Sequence, residues 1–208
     1  SGSPVIGLMI FMAVAFGFFF AIEKFKNSPI GVALLLGFTF FMGLMLSRLV
    51  GHVLGFSNGA SLVMTAFGGT AGIFAVMATI ATVSKRDFTG MGKWLFVGFL
   101  VIFVAAIANI WLQMPALTLT TPALPLLIFS AFLLVDLQRV ANGAETNYVT
   151  ATLPVYLSVY NVFNNLLALL GIFGLTMGRT GDRLDAPAAP APEGVARIDP
   201  TPPAPSSR

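Results

Sequence analysis

Six long apolar runs constrain this chain more than any other feature. They extend from Pro4 to Ile22, Pro29 to Leu54, Ala60 to Val83, Lys93 to Leu112, Leu117 to Val140 and Thr152 to Met177. A helix needs about 20 mostly apolar residues to cross a bilayer, and each run reaches or approaches that length. In hydrocarbon the backbone must satisfy its own polar groups, which leaves only helices and closed barrels. The runs are continuous and lack the alternation of a barrel strand, so the sequence predicts an all-α integral membrane protein with six transmembrane helices. Composition agrees: 57% of residues are hydrophobic and 9% charged, against about 25% charged in a soluble domain. The bilayer is therefore the first partner of this chain.

Charge placement orients the bundle. Lys24, Lys26, Lys85, Arg86, Lys93 and Arg139 all fall on or beside the first, third and fifth connections. The second and fourth carry no lysine or arginine. Cytoplasmic loops collect these residues, so the odd connections are expected in the cytoplasm, as in a multi-pass plasma (inner) membrane protein. Arg179 and Arg183, beyond the last run, pull weakly the other way. No basic stretch resembles a nucleic-acid surface. The chain has no cysteine, which excludes thiolate metal sites and cysteine nucleophiles.

Composition changes after Gly178. Residues 1–178 read as one polytopic transmembrane domain, and 179–208 as a disordered tail rich in proline and alanine, too poor in large apolar residues to offset its ordering entropy. Within the spans, Gly68 and Gly72 are four apart and share one helix face. Such spacing lets helices approach closely, and packing inside the bundle is the expected use.

Polar residues inside spans carry the functional information, because a charge at mid-membrane costs about 2.5–3.5 kcal/mol on insertion scales. Arg48 and His52 stand near the end of the second run, where an arginine can snorkel outward and a histidine is solvated. Asn109 and Gln113 close the fourth run and read as interfacial or interhelical hydrogen-bonding groups. Asp136 differs, with Phe132, Leu133, Leu134, Val135, Leu137 and Val140 around it. Two readings stay open: a local pair with Arg139, three residues on, or an ionisable group lining a cavity. In the last run, Ser158, Asn161 and Asn165 form one polar stripe, with Tyr156, Tyr160 and Asn164 on the adjacent one. At 1.5 Å per residue, Asp136 and Ser158 lie roughly 7–9 Å inside the same interface, on antiparallel neighbours.

"SKRDFTGMGKWLF", "IANIWLQMPAL", "VDLQRVANGAETNYV" and "YLSVYNVFNNLLALLGIFG" resemble the bacterial YccA-like branch of the Bax inhibitor-1 family, from about Gly31 to Gly174. The resemblance implies a seven-helix bundle whose last helix is central. It also implies that the family's first helix is missing from these six, consistent with a start, "SGSPVIGLM", that lacks methionine. Two functions follow from it. One is restraint of a membrane-anchored ATP-dependent protease, the association of the YccA-like branch. The other is a pH-sensitive leak of calcium or protons, gated in some members by paired aspartates on the last two helices. Asp136 matches the first aspartate and Ser158 stands where the second would be. Asp136, Arg139, Ser158, Asn161 and Asn165 are thus the expected ion-path and pH-sensing residues. Asp136 is the one expected calcium ligand, and transient calcium the only cofactor in view. A single carboxylate lacks the like-charge repulsion of a pair, which weakens both a neutral-range switch and calcium binding. Protease modulation is therefore the expected function, with the leak as the alternative. No HExxH, GxSxG or phosphate loop occurs, and no nucleophile–base set assembles, so no enzyme is expected.

Overall fold

A computed structural model of the chain describes residues 4–112 and 117–184. They form α1 (Pro4–Phe25), α2 (Pro29–Leu54), α3 (Gly59–Val83), α4 (Gly92–Leu112), α5 (Leu117–Ala141) and α6 (Tyr148–Leu184), with a 3-10 turn at Thr89–Met91 before α4. Five of these helices carry a stretch long and apolar enough to cross a membrane, and α1 has 22 residues of the same character. Their outward faces are apolar, with Phe20, Phe40, Met64 and Leu127 all exposed, as a lipid-facing surface requires. The chain is an all-helical, multi-pass membrane protein.

Helix α6 is the hub. It packs against α2, α3 and α5, while α5 also meets α3 and α4, and α1 lies on α2. Two apolar clusters hold this arrangement. At one end Ile22, Leu35, Phe38 and Met42 enclose Val149 and Leu153. At the other, Val53 and Ala66 close on Leu167. The close approach of α3 to α6 is made at Gly69, where an added Cβ would lie 2.7 Å from Leu166 Cδ2. Gly68 and Gly72 do not do this work. Both are exposed, with open space where a Cβ would stand. The glycine that meets α6 is Gly69, one position along from Gly68.

The ends of α5 and α6 differ from the sequence boundaries for local reasons. Gly143 has φ +68°. Its N–H donates to Val140 O at 3.1 Å and that of Ala144 to Arg139 O at 3.0 Å, the paired bonds of a helix closed by a left-handed residue. Asn147 then starts α6, four residues before the expected Thr152 once Tyr148 is included. Its Oδ1 accepts from the N–H of Val149 at 2.9 Å and of Thr150 at 3.3 Å, satisfying N–H groups that a helix start leaves without partners. At its other end α6 continues to Leu184, past the expected tail boundary, through a stretch with no proline before Pro187. The rest of the expected tail, and Gln113, lie outside the described residues.

Candidate functional site

Asp136 and Ser158 meet between α5 and α6. The Ser158 hydroxyl donates to Asp136 Oδ2 at 3.1 Å. Asp136 is 9% exposed and Ser158 2%. The helix register that the short 142–147 connection imposes brings the two side chains to one depth. Arg139 does not join them. Its side chain is exposed at the end of α5, with Nη2 3.3 Å from where a Cβ on Gly92 would stand. The one ion pair among the described residues is Lys26–Glu23. Of the two readings left open, the local Asp136–Arg139 bridge does not form.

The polar stripe of α6 continues from this pair. Asn161 Nδ2 donates to Leu157 O at 2.9 Å, and Asn165 Nδ2 to Asn161 O at 2.7 Å. Each amide thus turns one donor onto its own helix. With Asn164 they border a cavity of about 200 Å³ between α4, α5 and α6, closed on the far side by Phe99, Phe103, Pro125 and Phe129. Tyr156 and Tyr160 face the other way, into an apolar cavity among α2, α3 and α6. Arg48 and His52 are exposed near the end of α2.

A calcium ion takes six to eight oxygens, several of them charged. Among the described residues no three His, Cys, Asp or Glu side chains come together. Asp136 brings one carboxylate and Ser158 one hydroxyl, so these residues do not make a resident calcium site.

Two groups missed at the sequence level organise the basic end. Gln138, 2% exposed, donates from Nε2 to Arg86 O at 2.6 Å and accepts from the N–H of Phe88 at 2.7 Å. It holds the 84–91 connection against α5. Asn147 Nδ2 donates to Lys26 O at 3.1 Å and to Asn27 Oδ1 at 2.8 Å, joining the first connection to the fifth. All three odd connections therefore meet at one end, as their shared charge predicts. Beside Asn147, the Thr150 hydroxyl donates to Glu145 Oε1 at 2.7 Å, and the Asn147 N–H to the same oxygen at 3.2 Å. These bonds, the hydroxyl first, hold the Glu145 carboxyl below the usual glutamate range.

A depressed carboxyl pKa adds stability that is complete above the unfolded value and is lost as pH falls through the folded one. Acid melting of the detergent-solubilised protein should therefore begin below about pH 4.5, the ordinary glutamate value. Thr150→Val should remove most of this contribution, so the variant is less stable near neutral pH and its acid limb below about pH 4.5 is flatter. An unchanged acid limb in Thr150→Val would remove Glu145 from the account of this connection.

A bundle of apolar helices around a polar last helix, with a carboxylate and a hydroxyl sealed between its final two members, defines a class: all-helical polytopic membrane proteins with a polar contact at the α5–α6 seam. The chain belongs to the family described as Inhibitor of apoptosis-promoting Bax1, whose model matches residues 1–174. It is similar to the "Modulator of FtsH protease YccA" of Escherichia coli K12, with 34% identity over 168 residues, covering 81% of this chain and 76% of that protein. An uncharacterised Neisseria meningitidis protein is 35% identical over 169 residues, 81% of this chain and 74% of its own. An uncharacterised membrane protein of Vibrio cholerae is 34% identical over 170 residues, 82% of this chain and 76% of its own. The Escherichia coli O6:H1 relative is named an inner membrane protein, and this chain is likewise a multi-pass protein of the inner membrane.

Proposed function

We propose that this chain modulates a membrane-anchored ATP-dependent protease of the FtsH type. The observation that carries the reading is its 34% identity, over 81% of its length, to a modulator of FtsH protease. The structure is compatible with a protein that acts by contact. Its odd connections are tied into one unit by Gln138 and Asn147, which presents a fixed surface at the expected cytoplasmic end. The proposal gives the chain no catalytic chemistry of its own.

The test is reconstitution with the protease in liposomes and measurement of membrane-substrate degradation. Near-equimolar chain should slow degradation and co-purify with the protease, and Asp136→Asn should do both equally well. Degradation at the same rate with and without the chain, and no co-purification, would end this reading.

One observation favours a second reading, the leak. The Asp136–Ser158 pair runs on along α6 into Asn161 and Asn165, which border a cavity at mid-span. In this reading Asp136 is the charged group of the path, Ser158 holds its carboxylate in place, and the asparagines supply neutral oxygens beyond it. A cation, calcium included, would pass rather than reside.

A further inference from the structure

The basic side chains of the odd connections divide into two groups. On the first connection, Lys26 pairs with Glu23 and also feels Glu145, so its charge is compensated. Around the third connection, Lys85, Arg86, Lys93 and Arg139 have no carboxylate within ion-pair distance among the described residues. Asp87 lies among them, exposed as they are, and is held by its own turn. It accepts from the Thr89 N–H at 2.8 Å and the Thr89 hydroxyl at 2.6 Å. These bonds, the hydroxyl first, hold its carboxyl below the usual range, so the cluster sets four cations against this one carboxylate.

The fold brings the chain positions of the four cations to one corner of the bundle. Gln138 ties the Arg86 carbonyl to α5 at 2.6 Å, one residue before Arg139. The Arg139 guanidinium lies over Gly92, with Nη2 3.3 Å from its Cβ position, one residue before Lys93. Trp94 follows in the first turn of α4 and is 78% exposed. An indole with that exposure at the mouth of a spanning helix sits at headgroup level, where its apolar body meets lipid and its N–H meets water. A lipid engages the indole and the cations together, the indole at the membrane–water boundary and the cations at the headgroup.

We propose that Lys85, Arg86, Lys93 and Arg139, with Trp94 beside them, form a docking site for the phosphate headgroup of an anionic phospholipid at the membrane surface. The guanidinium groups offer paired donors to phosphate oxygens and the lysines add point charge. Each basic residue near an anionic surface contributes roughly fivefold in binding.

Trp94 reports on the site directly. The chain has a second tryptophan, Trp111, so the measurement uses full-length Trp111→Phe protein. It is reconstituted in phosphatidylcholine bilayers with equal small fractions of brominated phosphatidylglycerol or brominated phosphatidylcholine. Quenching should be several-fold stronger with the anionic lipid, and Lys93→Gln/Arg139→Gln should abolish most of the preference. Lys24→Gln/Lys26→Gln removes the same charge elsewhere and should keep it. Equal quenching by the two lipids overturns the proposal. So does equal loss in both double variants, which would mean net charge and no site. Competition by a few millimolar inorganic phosphate would overturn the lipid source in favour of a free anion.

Discussion

Gln138→Met is expected to loosen the basic end of the bundle by about 2–4 kcal/mol, because it strips the partner from two backbone groups at once. Methionine keeps the length and shape of the side chain, so little of the effect comes from lost volume. The Arg86 carbonyl and the Phe88 N–H lose bonds of 2.6 and 2.7 Å in a place that water enters poorly, since Gln138 is 2% exposed. Two readouts separate this from a general loss of stability. Amide exchange at Phe88 should accelerate far more than at Val149, and unfolding in mixed detergent should shift to lower denaturant. Exchange at Phe88 unchanged from the parent would show that the 84–91 connection is held by something else. The same variant bears on the lipid site, because Arg86 and Arg139 keep their relative placement through Gln138.

Gln138 also marks where sequence reasoning stopped. The six helices were legible because a bilayer span has a length and a composition that nothing else in a chain of this size shares. Helix α2 begins and ends where the apolar run does, at Pro29 and Leu54. The depth match of Asp136 and Ser158 was legible too, since a short connection and a fixed rise per residue leave one register for two antiparallel helices. Gln138 was not legible, because a neutral amide near a helix end looks solvated until the connection that folds over it is known. The structure puts Gln138 on the inward stripe of Val135, three residues earlier and 1% exposed, a face that the uniformly apolar run around it did not mark. The two glycines show the opposite failure. "FGGTAG" contains two overlapping small-residue registers, and spacing alone does not say which glycine faces α6. Arg139 fell between these cases. Its separation from Asp136 allowed a bridge, but a long side chain at a helix end reaches water more cheaply than it follows a carboxylate into the bundle.

Ser158→Asp should convert the α5–α6 contact into a pH-responsive one. Ser158 Oγ is 3.1 Å from Asp136 Oδ2, and two carboxylates at such a distance cannot both be ionised; they hold one proton between them. Release of that shared proton puts two like charges in a contact that is 9% exposed on one side and 2% on the other, and α5 and α6 are driven apart. Calcium flux into proteoliposomes of Ser158→Asp is expected to change by roughly an order of magnitude between about pH 6 and about pH 8, because the ionised fraction of one group titrating within that window rises about tenfold across it. The parent, with one carboxylate and a hydroxyl, is expected to show no such step, and Asp136→Asn placed on top of Ser158→Asp should remove it. Ser158→Ala supplies the stability control: it leaves a buried carboxylate without its donor, at a cost of about 1–3 kcal/mol and with no second charge. A pH step already present in the parent would mean that Asp136 gates alone and would raise the leak above protease modulation. No step in a folded Ser158→Asp protein would mean that the helix contact is not coupled to any path. The asparagine-bordered cavity beyond it would then be a consequence of packing a polar helix against α4, since the charge change next to it would have moved nothing.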